Sequence, residues 1–191
     1  SMGRLKKGDL DQEGWTNLAT LQGKITGAPL FIDDSPNMTL MEIRAKCRRL
    51  KQRNQLQLVV LDYLQLMSSG KKVESRQQEV SEFSRSLKLL AKELEVPVIA
   101  LSQLNRGSEQ RTDKRPMISD LRESGSIEQD ADMVILLHRE DMYNPDSDRV
   151  GEADMIIAKH RGGPTKTIPL AFSGKYSRFN NMASETPPQQ Y

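Results

Sequence analysis

Asp62 directly follows the aliphatic run Leu58-Val59-Val60-Leu61, whose composition predicts a strand buried on both faces. Open α/β sheets bind their ligands outside the carboxyl ends of the strands, so a carboxylate delivered there has a chemical use. The reaction that wants it is nucleotide hydrolysis, in which a strand-end aspartate holds Mg2+ through water beside the β- and γ-phosphates. A plain turn also favours aspartate at such a point, and the residue alone leaves both readings open. Gln103 stands in the same place relative to the next aliphatic run, Val98-Ile99-Ala100-Leu101, just beyond Ser102. Its side-chain amide suits orienting an attacking water or sensing a γ-phosphate, and equally suits bonding to a turn backbone.

In an extended segment Lys159 and Arg161 share one face while His160 points to the other. Two fixed cations before Gly162-Gly163 could meet a phosphate, a role whose loss typically costs roughly 10³ to 10⁵ in rate, or could mark a solvated hairpin end. His160 has no histidine partner nearby and reads as structural. Two loops are candidates for a nucleic-acid backbone: one with Lys71, Lys72 and Arg76, the other running from Arg122 to Gly125. Phosphates are held by Lys and Arg charge and by backbone N–H groups that glycine lets approach closely. Neither loop carries an aromatic residue, so backbone contact without base stacking is the expected form.

These residues need elements to hold them. Trp15, Leu18 and Leu21 fall at helical spacing within residues 1–28, and Leu30 to Ile32 reads as a strand before the turn cluster Asp33-Asp34-Ser35-Pro36. Thr39 and Glu42 have capping-box spacing ahead of a helix with Leu40, Ile43, Cys47 and Leu50 on one face, which makes Cys47 a core residue. Val80, Phe83, Leu87, Leu90 and Leu94 line a second, longer helix. Further strands are read at Val98–Leu101, buried like the first, and at Met133–Leu137. A hairpin of Ala153–Arg161 and Thr167–Phe172 turns through Gly162-Gly163-Pro164. Strands alternating with helices, then a closing hairpin, predict an α/β domain with a mixed sheet over residues 1–182. The Pro- and Gln-containing stretch 183–191 reads as a disordered tail.

Composition sets the outer bounds. The 191 residues suffice for one ordinary domain with a real core. The single cysteine excludes an internal disulfide, and the two distant histidines argue against a metal cluster. Basic and acidic residues, 28 against 26, nearly cancel to +2, so nucleic-acid binding must rest on local loops. Apolar runs are far too short for a membrane span, and no secretory leader opens the chain, so an intracellular location is expected.

Four segments taken together closely resemble the bacterial replicative DNA helicase family, DnaB. They are Leu58-Val-Val-Leu-Asp62-Tyr-Leu-Gln-Leu-Met67, Arg76-Gln-Gln-Glu-Val-Ser-Glu82, Pro97-Val-Ile-Ala-Leu-Ser-Gln-Leu-Asn-Arg106, and Asp120-Leu-Arg-Glu-Ser-Gly-Ser-Ile-Glu-Gln-Asp130. They occur in family order and spacing, and the likeness runs from about Arg4 to about Met182. The resemblance implies a RecA-like fold: a mixed, mostly parallel sheet flanked by helices, with a C-terminal antiparallel hairpin. It implies a hexameric ring around single-stranded DNA, driven by ATP with Mg2+ at subunit interfaces, with primase and a helicase loader as partners, in the cytoplasm at the replication fork. By match, Asp62 resembles the Mg2+ ligand of the second Walker motif and Gln103 the γ-phosphate sensor. Lys159 and Arg161 resemble the basic pair that enters the neighbouring subunit's nucleotide site, and Arg122, Glu123 and Gly125 the loop that grips the DNA backbone.

One departure stands against these matches. Nowhere do the 191 residues contain Gly-x-x-x-x-Gly-Lys-[Ser/Thr], the phosphate cradle; Gly23-Lys24, Gly70-Lys71 and Gly174-Lys175 all fail the pattern. The expectation is a truncated motor domain that hydrolyses no nucleotide by itself. A recombinase-type RecA-like ATPase and a non-catalytic DNA-binding or ring-assembly module are the alternatives.

Overall fold

The computed structural model describes residues 2–68, 75–121 and 125–182. The chain divides into two compact units, one of residues 1–32, 137–156 and 167–191, the other of residues 33–136 and 157–166.

The second unit is built around a helix pair. Helix α3 (Leu40–Asn54) starts at the predicted capping box: Thr39 Oγ1 accepts from the Glu42 N–H at 3.3 Å, and the Glu42 carboxylate accepts from the Thr39 N–H at 2.8 Å. Helix α4 (Arg76–Leu94) is N-capped by Ser75 and buries Val80, Phe83, Leu87, Leu90 and Leu94, the stripe its spacing predicts. Ile43 and Cys47 of α3 join the same core with Val59, Leu64, Met67 and Val96. Burial raises the Cys47 thiol above its ordinary value, consistent with an inert core residue. Across the surface Arg44 and Arg48 of α3 both pair with Glu93 of α4.

Strands β1 (Val59–Leu61) and β2 (Val98–Ala100) form a parallel pair with Val59 opposite Val98 and Leu61 opposite Ala100. Leu101 N–H continues the ladder to the Leu61 carbonyl at 2.9 Å, and Leu64 N–H to the Leu101 carbonyl at 2.9 Å. The expectation that both strands are buried on both faces is corrected here. Val59 is buried, but Val60 is 57% and Ile99 52% exposed, with Leu58 and Leu101 exposed beside them. The helices cover one face, and among the described residues nothing covers the other.

This unit also holds the short helices α5 (Gly107–Gln110) and α6 (Gly125–Asp130). A four-stranded sheet has the order β3 (Met133–His138), β4 (Glu152–His160), β5 (Lys166–Ser173), β6 (Arg178–Asn181). Strands β4 and β5 are the predicted hairpin strands. Strand β6 was not expected; it pairs antiparallel with β5 and sets Phe179 opposite Phe172, ring centroids 4.9 Å apart.

In the first unit, α1 (Met2–Lys7) and α2 (Gln12–Thr26) realise the predicted N-terminal helix, with Asp11 capping α2 through the Gly14 N–H. None of the residues of α2 is buried. The expected strand at Leu30–Ile32 is absent: the segment is irregular, exposed and paired with no strand among the described residues. A strand exists only through a neighbour's ladder, and an apolar run does not supply one. The tail 183–191 lies outside the described residues.

Candidate active site

Asp62, Gln103, Lys159 and Arg161 all belong to the second unit, as does Gly125. Because β1 and β2 are parallel and adjacent, Asp62 and Gln103 leave the sheet at the same edge, the carboxyl ends of the strands. Both residues are exposed. Among the described residues, no hydrogen bond or ion pair engages the side chain of either. The peptide bond between Asp62 and Tyr63 is cis.

Their backbones are fixed. Beyond Asp62 the chain enters a 3-10 turn, Leu64–Leu66, held down by buried Leu64 and Met67. From this turn Gln65 reaches across to the second strand's exit. Its Oε1 accepts from the Gln103 N–H at 3.2 Å, and its Nε2 donates to the Gln103 carbonyl at 3.2 Å and to Ser102 Oγ at 3.1 Å. Sequence reasoning missed Gln65, although it lies three residues after Asp62 inside the quoted motif.

Lys159 and Arg161 converge. Both donate to the Gln129 carbonyl, at 3.2 and 3.0 Å, and Lys159 also to the Glu128 carbonyl, Lys159 from β4 and Arg161 from the residue just past its end. These carbonyls end α6. Arg161 N–H donates to the Asp132 carbonyl at 2.9 Å, and the Asp132 carboxylate pairs with Lys88 of α4. The Lys88 ammonium is the main cause holding Asp132 below its ordinary value, with Arg161 and Lys159 adding smaller pulls. The His160 ring lies against Gly163. A Cβ on Gly163 would stand 2.6 Å from the His160 ring, so the ring packs where only glycine leaves room.

Gly125 opens α6 and is exposed, and a Cβ there would meet nothing within 4 Å, so packing does not demand glycine. Lys71, Lys72, Arg122 and Glu123 lie outside the described residues, as does the side chain of Arg76. The segment leading to the second loop is anchored by Asp120, which is 6% exposed. Arg111 grips its carboxylate with two bonds of 2.7 Å, the Met117 N–H donates to it at 2.8 Å, and its carbonyl accepts from the Asn105 N–H at 2.9 Å.

A carboxylate and an amide at the ends of two adjacent parallel strands, together with two cations that converge on one helix end, are groups of the kind that nucleotide hydrolysis employs. They are not an all-protein metal cage, for no group of three or more His, Cys, Asp or Glu suited to a metal occurs among the described residues. A single carboxylate is what Mg2+ needs where phosphates and water complete its shell.

The chain is 72% identical over 179 residues to the replicative DNA helicase DnaB of Leifsonia xyli subsp. xyli (strain CTCB07), covering 94% of this chain and 39% of that protein. It is 57% identical to the replicative DNA helicase DnaB of Geobacillus stearothermophilus, covering 93% and 39%. The chain thus spans about two fifths of the length of these relatives. Among solved structures, an ATPase domain superposes with a TM-score of 0.89 at 43% identity, over 95% of this chain and 65% of that one. A DnaB-like replicative helicase, described with its interactions with primase, gives 0.86 at 45% identity over 92% and 43%. The fold is that of RecA-like helicase ATPase domains, and residues 1–181 match the DnaB-like helicase C-terminal domain, the family to which this chain belongs.

Proposed function

We propose that this chain is part of the motor of a replicative DNA helicase, one that hydrolyses ATP as a hexameric ring, translocates on single-stranded DNA and unwinds duplex at the fork. The observation that carries the reading is the pairing of β1 with β2, which sets the unengaged side chains of Asp62 and Gln103 at one sheet edge. Asp62 would hold Mg2+ through water, and the bound ion neutralises charge on the β- and γ-phosphates. Gln103 senses the γ-phosphate and orients the attacking water through its amide. Lys159 and Arg161 act on the nucleotide of the adjacent subunit, where two cations at the end of β4 reach a single phosphate. Arg122, Glu123 and Gly125 hold the backbone of single-stranded DNA. Primase and a helicase loader are the protein partners, and the place of work is the cytoplasm; among the described residues, no helix is long and apolar enough to cross a membrane.

The chain by itself lacks the Gly-x-x-x-x-Gly-Lys-[Ser/Thr] cradle whose backbone N–H groups and lysine neutralise the phosphates. It is therefore inactive alone. The test is in two parts. Calorimetric titration of the 191-residue chain with Mg-ATP should give neither micromolar binding nor turnover. In the full-length helicase, Gln103→Ala should bind nucleotide and lose the stimulation of ATPase by single-stranded DNA. Unchanged stimulation would remove Gln103 from the sensor role.

A further inference from the structure

We infer that Gln65 is a positioning residue of the hydrolytic site: its side-chain amide, bonded to both main-chain polar groups of Gln103, locks the sensor in register with the strand-end carboxylate of Asp62. The inference rests on the reading of Gln103 as the sensor.

The geometry explains why a side chain has this task. The β1–β2 ladder runs out at Leu64 N–H to Leu101 carbonyl, because beyond it the first strand's continuation curls into the Leu64–Leu66 turn. Among the described residues no strand remains to pair with residue 103. A primary amide has the donor and acceptor of a peptide group, and Gln65 uses them as a strand would, accepting from the Gln103 N–H and donating to the Gln103 carbonyl. Its second N–H is placed to take Ser102 Oγ, so the two residues at the exit of β2 are both held. The platform is rigid, since Leu64 and Met67 on either side of Gln65 are 2% and 7% exposed. A movement of the turn that follows Asp62 is thereby carried to the backbone of Gln103, while the Gln103 side chain stays free to meet a ligand. Asparagine is one methylene shorter and would not span the same three contacts.

The test uses the full-length helicase with Gln65→Ala, and with Gln65→Glu as a near-isosteric variant that keeps the acceptor for the Gln103 N–H and loses both donations. Both should fold with unchanged thermal midpoints and assemble normally. Loss of the amide pairing should speed hydrogen exchange of the Gln103 amide by about ten-fold in the alanine variant, the scale of one net hydrogen bond. The DNA-stimulated kcat should fall by a similar factor, about ten-fold, while the KM for ATP stays within about two-fold, since only a transition-state orientation is lost. The glutamate variant should show the same fall in kcat with slower exchange than alanine. In a Gln103→Ala background, Gln65→Ala should add nothing, because the two act as one unit. Normal exchange and turnover in Gln65→Ala, or an effect that simply adds to that of Gln103→Ala, overturns the role of Gln65 alone. Wild-type turnover and DNA stimulation in Gln103→Ala overturns the sensor reading, and the role of Gln65 falls with it.

Discussion

Arg161 donates through its guanidinium to the main-chain carbonyl of Gln129 at 3.0 Å, so a side chain proposed to serve the neighbouring subunit rests on a helix end of its own. Lys159 shares that carbonyl. The last carbonyls of a helix lack intrahelical partners, and exposed cations there contribute at most about 1 kcal/mol. A trans-acting cation on a phosphate carries roughly 10³ to 10⁵ in rate. The two roles therefore separate by magnitude. Arg161→Ala in the full-length protein should change unfolding stability by no more than about 1 kcal/mol and cut ATP turnover by about 10³. Mixing it with Asp62→Asn subunits should restore activity above either parent, because some interfaces regain both intact halves. ATPase measured across the mixing series decides; no recovery in verified mixed rings would assign Arg161 to its own subunit.

Asp62→Asn tests the metal-holding role. The side chain is exposed and engaged by nothing among the described residues, so the substitution should alter stability by less than about 0.5 kcal/mol and leave the ring assembled. Turnover should vanish, because an amide does not replace a carboxylate beside Mg2+. Thermal unfolding, sedimentation and ATPase assays on one preparation separate these effects; a parallel loss of assembly would make Asp62 structural.

Local signals in the sequence proved reliable where the neighbours they require belong to the chain. Thr39 and Glu42 form the box their spacing predicts, and the α4 stripe is buried residue by residue. Asp62 and Gln103 were legible as strand ends because aliphatic runs stop there. What was not legible depends on partners the local pattern does not name. Val60 and Ile99 have the composition of a doubly covered strand, yet that face is bare, since a pattern records the burial a strand is suited to and not what lies over it. Leu30–Ile32 fails as a strand for the same reason. Gln65 escaped notice because its use is defined by the unpaired backbone of Gln103, a fact of register and not of spacing.

Acid should weaken the second unit. Lys46 and then Ser35 hold the Asp33 carboxyl down to about 2 from an ordinary 3.8. Thr39 lowers Glu42, Arg48 and Arg44 lower Glu93, and Lys88 lowers Asp132. Each folded-state value lies below its unfolded one, so the stability these groups contribute is fully present above about pH 5 and is lost as pH falls through about 4 towards 2. Exposure keeps each contribution small. Urea midpoints measured from pH 6 to pH 2.5 should fall over the lower part of that range, and Asp33→Asn should flatten the fall. A midpoint that rises on acidification would contradict the sign.

The Arg111–Asp120 pair yields the last prediction. Asp120 ends the segment from which the proposed DNA loop departs, and among the described residues its carboxylate oxygens accept from Arg111 twice and from the Met117 N–H. Arg111 in turn donates to the Arg115 carbonyl at 2.9 Å, which closes the segment between them. The Asp120 carboxylate raises the guanidinium of Arg111 above its ordinary value, as a close hydrogen-bonded ion pair does. Asp120→Asn keeps the shape, removes the charge and turns an amide N–H towards N–H donors, leaving at least one buried donor unmatched. The thermal midpoint should drop by about 5 °C. Because the loop's root loosens while Asp62 and Gln103 keep their β1–β2 frame, basal ATPase of the full-length protein should hold and affinity for single-stranded DNA should fall. Fluorescence anisotropy with a labelled oligonucleotide, run beside the DNA-free ATPase assay, reads both. Equal losses in the two assays would mean that the segment supports the whole domain and not the loop.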